Sequence, residues 1–115
     1  MPENNLALTS DEKVWLDAYK CAIREQFPGL IEDLIVFGSK ARGTATEDSD
    51  LDMVVIIREG DWRVKQAVSD AGYALAIGTQ VVPSLVVFTK DEWDLRMKEE
   101  APFWQTIYRD GVTVA

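Results

Sequence analysis

The sequence predicts an α/β (α+β) protein, and three observations carry that expectation. Apolar residues recur at helical spacing over residues 11–26, a continuous apolar run fills 34–37, and residues 50–57 sort their side chains with a period of two. Helical and extended patterns continue to alternate along the chain. With 115 residues and 47% apolar content, one domain over 1–115 is expected, large enough to bury a core without disulfide or metal staples.

Residues 1–8 read as a loose start. Ser10 suits the N-cap of a first helix over 11–26, whose opening acids Asp11 and Glu12 favour the positive end of the helix dipole. Val14, Trp15, Ala18, Tyr19, Ala22, Ile23 and Phe27 form its apolar positions, and Cys21 reads as a small buried hydrophobe. Pro28-Gly29 stops the helix. The run 34–37 is unbroken, as expected of a central strand with no solvent face to mark with polar residues. Along 50–57, Asp50, Asp52, Val54 and Ile56 share one face, and Leu51, Met53, Val55 and Ile57 share the other. The connection 38–49 is rich in Gly, Ser, Thr and Ala and has room for one helical turn. A helix over 62–77 is expected to bury Val64, Ala67, Val68, Ala71, Leu75 and Ala76. Residues 81–88 read as a third strand, which belongs at an edge or pairs only beyond Pro83, because proline has no N–H for the ladder. Asp91-Glu92-Trp93 opens another helix, Pro102 starts a short one ending at Gly111, and 112–114 forms a last strand.

Composition excludes several classes of function. Twelve Lys+Arg against 20 Asp+Glu give a net charge of −8 with no basic cluster, which argues against a general nucleic-acid surface, since neutralising phosphates takes grouped cations. No stretch reads as a membrane span and no basic-then-apolar signal opens the chain, so a cytoplasmic protein is expected. The absence of histidine removes Ser-His-Asp and Cys-His nucleophile chemistry, and the single cysteine leaves no internal disulfide. Chemistry on this chain has to run on carboxylates, hydroxyls and hard metal ions.

One motif meets those terms. Gly38-Ser39 ends the apolar run, ten residues follow, and Asp50-Leu51-Asp52 opens the next strand. A glycine there lets backbone N–H groups approach an anion, and Ser39 adds a hydroxyl donor. If 39–42 makes a helical turn, Arg42 lies on the side of Ser39 and can reach a phosphate with its planar fork, or can pair with Glu47 or Asp48 instead. Lys40 reads as solvated. Asp50 and Asp52, two apart on an extended segment, place their Cβ atoms about 7 Å apart on one face, a span that one or two Mg²⁺ ions can bridge. Asp52 is flanked by Leu51 and Met53, so its charge needs a compensating partner, and a metal ion supplies one. Antiparallel pairing of the two strands sets the glycine-serine turn beside the aspartates, which fits metal-assisted nucleotidyl transfer.

Gly38-Ser39, Ala41-Arg42-Gly43 and Ser49-Asp50-x-Asp52 resemble the nucleotidyltransferase domain of the DNA polymerase beta superfamily in its minimal form. The order of elements extends the resemblance over most of the chain. It implies a mixed β-sheet flanked by helices, Mg²⁺ (or Mn²⁺) held by Asp50 and Asp52 as catalytic carboxylates, and ATP as substrate on Gly38 and Ser39 with help from Arg42. Small members of this kind are commonly antitoxins paired with a helical HEPN toxin, and some transfer AMP from ATP to a tyrosine of that toxin. A HEPN-type toxin or a second copy of the chain is therefore the implied protein partner. Family enzymes usually add a third carboxylate on a later strand, yet residues 81–88 hold no acid. Gln80 or Ser84 can offer a neutral oxygen in its place, and Asp91 can approach only from beyond the strand. The alternative that follows is a binding module that neutralises its partner by contact. Trp62, Trp93, Phe103 and Trp104 are expected to fill the core rather than to mark a contact surface.

Overall fold

The computed structural model describes residues 6–46 and 49–114. Its elements run α1 (Ser10–Gln26), β1 (Ile31–Phe37), α2 (Ser39–Arg42), β2 (Leu51–Ile57), α3 (Trp62–Ala76), β3 (Pro83–Thr89), α4 (Lys90–Lys98), α5 (Pro102–Asp110) and β4 (Val112–Thr113). The strands form a mixed sheet in the order β3-β2-β1-β4, with β2 and β3 parallel and the other two pairings antiparallel.

The cap of α1 is Thr9 rather than Ser10. Thr9-x-x-Glu12 offers a reciprocal arrangement that Ser10 does not: the Glu12 N–H donates to Thr9 Oγ1 at 3.1 Å, and the Thr9 N–H donates to Glu12 Oε1 at 2.9 Å. From there α1 packs through Glu12, Trp15, Leu16, Tyr19 and Ile23. Val14 and Cys21 lie on the opposite side of that stripe and are exposed, against the sequence expectation. Of the expected loose start, Leu6 and Leu8 pack against the core, and the Ala7 N–H donates to the Lys40 carbonyl at 2.9 Å.

Two buried donors lock α1 to α3. Trp15 Nε1 donates to the Gly72 carbonyl at 2.9 Å, and one turn along Tyr19 Oη donates to the Val68 carbonyl at 2.8 Å. The two rings stack at 5.0 Å, and burial pushes the Tyr19 phenol up, so it stays a protonated donor. Gly72 makes the approach possible, because a methyl there would stand 2.6 Å from Leu85 Cδ1 and 3.0 Å from Tyr19 Cε1. In α3 the buried stripe is carried by Val68 and Gly72, with Val64, Ala71 and Ala76 partly covered. Ala67 points away from it, and Leu75 lines an outer groove with Val14 and Ala18, so both are more exposed than the spacing alone predicts.

The core divides at the sheet. Beneath α1 and α3 lie Leu51, Met53, Val55 and Ile57 of β2 with Leu34 and Val36 of β1. On the other face Val54, Ile56 and Phe88 pack with Trp93 of α4 and Ile107 of α5, flanked by Phe103 and Trp104. Trp93, Phe103 and Trp104 thus contribute to the core as expected, whereas Trp62 is 69% exposed, with the Arg63 guanidinium 5.1 Å from its ring centroid.

As expected from Pro83, β3 is an edge strand, and its outer side is largely closed. Pro83 has no N–H, the Leu85 N–H donates to Tyr73 Oη at 3.1 Å, and the Thr89 N–H donates to Glu92 Oε1 at 2.8 Å.

Candidate active site

The antiparallel ladder of β1 and β2 sets Phe37 opposite Asp52, so the turn that follows Phe37 lies against the aspartate. Gly38 sits at φ 72°, ψ −153°, a conformation that is essentially glycine's alone. A methyl on it would stand 2.5 Å from Asp52 Oδ2. The carboxylate therefore occupies the space a side chain at 38 would need, so any other residue there would be strained in its backbone and would push Asp52 aside.

Beyond Gly38, the four residues of α2 form the single helical turn. The Ala41 and Arg42 N–H groups donate back to the Gly38 carbonyl, each at 3.1 Å, and no side chain of the N-cap closes the start of the turn. The first N–H groups of such a turn have no partner within it and are left as donors. Ser39 is half-buried at this start, and Arg42 is exposed one turn on. Glu47 and Asp48, the alternative partners weighed for Arg42, lie outside the described residues. Chain entry into β2 is shaped by the Thr46 N–H, which donates to Ser49 Oγ at 2.9 Å, and the Ser49 N–H, which donates to the Thr46 carbonyl at 3.1 Å.

Asp50 is exposed and Asp52 half-buried. Burial raises the Asp52 carboxyl above the usual carboxylate range, the nearby Asp50 charge adds to this, and Arg42 pulls it back. Asp52 therefore senses both the Asp50 and the Arg42 charge. Asp52 also stands beside Ser84 in the parallel register, so on β3 a hydroxyl occupies the place next to the carboxylate. Among the described residues, no third acidic, histidine or cysteine side chain joins the two aspartates. Gln80 lies elsewhere: with Thr9, Asp11, Glu12, Lys40, Ser49 and Val82 it lines a cavity of about 560 Å³ whose walls include neither Asp50 nor Asp52.

One site-proximal residue differs from the sequence reading. Lys40 is not solvated but 2% exposed, with its Nζ 2.9 Å from Oε1 of Glu12, itself 4% exposed. A single turn of helix at Ser39 leaves Lys40 on the inner side, toward α1, while Ser39 and Arg42 face out. The Thr9-x-x-Glu12 box was the available signal, since it fixes where the Glu12 carboxylate stands.

The profile of the family described as "Nucleotidyltransferase domain" matches residues 16–106. The chain belongs to that family. A curated protein of Methanocaldococcus jannaschii named "Putative protein adenylyltransferase" is 43% identical over 35 residues, covering 30% of this chain and 35% of that protein. The match thus spans about a third of the relative's length. Among solved structures, a chain from the crystal structure of the toxin–antitoxin pair MntA–HpeT, in a tyrosine-to-alanine mutant, superposes with a TM-score of 0.55 at 17% identity, covering 94% of this chain and 73% of that one. A second crystal structure of the pair, in which two aspartates are replaced by glutamate, gives 0.54 at 18% identity over 92% of this chain and 72% of the other. These likenesses share the nucleotidyltransferase fold, a mixed sheet flanked by helices.

Proposed function

We propose that this chain is a Mg²⁺-dependent (or Mn²⁺-dependent) nucleotidyltransferase that moves AMP from ATP to a hydroxyl of a protein or small molecule, acting in the cytoplasm as the antitoxin of a HEPN-type toxin. The observation that carries the reading is the seat of Asp52 against Gly38, which puts a carboxylate beside a turn whose first N–H groups, unpaired within it, suit a polyphosphate. The reaction class follows from the family, and the adenylyl group and the protein partner are supported by what the relatives are named.

In this reading Gly38 and Ser39 receive the phosphates, and Arg42 adds a fixed cationic fork. Asp50 and Asp52 would hold the metal ion, and their all-oxygen donor set suits a hard divalent cation. When bound, such an ion neutralises phosphate charge and polarises the phosphoryl oxygens. The acceptor oxygen bonds to the α-phosphorus as the α–β phosphoanhydride bond breaks and pyrophosphate leaves, and the acceptor hydroxyl gives its proton to water. The bare Gly38 leaves room for the Asp52 carboxylate beside the phosphate turn.

The test is transfer of label from α-labelled ATP to partner protein. Asp52→Asn, folded by circular dichroism, is expected to lose transfer altogether; equal labelling by the variant would discard the assignment. Ser84, standing where an acid would give a third carboxylate, favours a second reading: an antitoxin that works by contact with a weak or silent nucleotide site. Under that reading Asp52→Asn neutralises the partner as well as the wild type does.

A further inference from the structure

Lys40 is buried in a helix of four residues, directly after the serine assigned to the phosphates. Taking an ammonium and a carboxylate out of water is expensive, and apolar side chains of similar size would commonly hold such a position at least as stably. Global stability is therefore a poor account of this pair. Its connections point to placement. Glu12 Oε1 receives both the Lys40 ammonium and the Thr9 N–H, each at 2.9 Å, so one atom ties α2 to the cap of α1. The Lys40 carbonyl also accepts from the Ala7 N–H at 2.9 Å, and neighbouring Ala41 is 4% exposed. The inner side of α2 is thus held at three points, while half-buried Ser39 and exposed Arg42 lie on its other side.

We propose that the Glu12–Lys40 ion pair is a positioning device that fixes the pitch of α2 and so aims the N–H groups at Gly38-Ser39 and the Arg42 fork at one phosphate position. The inference rests on the phosphate reading of that turn. A directional charge-assisted bond specifies one orientation, whereas a greasy contact would let a single unsupported turn rock. Neither Glu12 nor Lys40 touches the nucleotide in this account; both act through Ser39 and Arg42.

The test uses the double variant Glu12→Gln/Lys40→Met, in which glutamine still accepts the Thr9 N–H and methionine fills the lysine's channel. Thermal unfolding, amide exchange over residues 38–43 and calorimetric titration with ATP in Mg²⁺ are read together. The expected result is a melting temperature at or above the wild type's, faster exchange in α2, and ATP affinity weaker by about tenfold, as for other residues that orient a ligand-binding group. A double variant that binds ATP as tightly as the wild type overturns the inference, as does a lowered melting temperature with affinity unchanged. Should the double variant not fold, Glu12→Gln/Lys40→Leu, which likewise leaves no unpaired buried charge, is judged by the same criteria. A wild type that binds no ATP in Mg²⁺ removes the phosphate reading and this inference with it; tight binding undiminished in the variant removes this inference alone.

Discussion

Ile56 and Ile57 are neighbours in the chain, yet they serve different halves of the molecule. Ile57 joins the cluster under α1 and α3, where β2 buries Leu51, Met53, Val55 and Ile57 along its whole length. Ile56 joins the smaller cluster under α4 and α5, where Val54 and Ile56 are covered but Asp52, next on that face, is half-exposed. One face is closed from end to end, and the other is left open at its polar end. The difference teaches how a small chain can keep a charged, desolvated carboxylate in place: apolar burial on one side of a strand offsets what is left unburied on the other.

The comparison can be broken most severely at those two isoleucines. Truncation of buried Ile to Ala costs ~2–5 kcal/mol, and Ile57→Ala is expected near the upper end, with Ile56→Ala near the lower, because the larger cluster has less freedom to collapse. Urea unfolding of both variants measures the gap, and equal midpoints would show that the faces weigh the same. A smaller effect is expected at the open end. Gly38→Ala should cost about 1–3 kcal/mol from backbone conformation and additionally displace Asp52. Gly29→Ala, whose methyl would meet nothing within 4 Å, should cost only about 1 kcal/mol, so the gap between the two midpoints reports the harsher backbone conformation at 38 together with crowding against the carboxylate.

The smallest effect concerns how the second face is fastened at its α4 end. The Lys65 ammonium, followed by the Thr89 amide, holds the Glu92 carboxyl below its ordinary range. A group whose folded value is lowered adds stability at neutral pH that disappears as acid protonates it in the folded state. Because the pair is partly exposed and screened, Glu92→Gln should lower stability by at most about 1 kcal/mol near neutrality. That gap should close between about pH 5 and about pH 3, which unfolding curves on the two proteins across this range would check.

Element order was legible because turn residues and periodicity mark it: Pro28-Gly29, the apolar run into Gly38, and Pro83 at an edge all appear in the backbone. The pairing of the glycine-serine turn with Asp52 was also legible, since antiparallel strands joined by a short connection bring that end and that beginning together. What the pattern could not reveal was which side of a helix finds a neighbour. Val14 and Cys21 sit within an apolar spacing broad enough to allow two faces, and docking on α3 through Trp15 and Tyr19 selected one. Lys40 escaped for a related reason. A charged residue in a polar loop is ordinarily solvated, and only the position of Glu12, twenty-eight places earlier in the chain and fixed by its cap, draws the ammonium inside.

The closed margin of β3 has a consequence for how this molecule meets others. With Pro83 mute, Tyr73 capping one amide and Glu92 another, at most Val87 remains to offer a main-chain donor on that border. A stranger's extended segment finds carbonyls there but almost no main-chain donors to zip onto. Docking along this border therefore leans on side-chain shape and charge, and the same bluntness disfavours fibrillar stacking at a parallel strand.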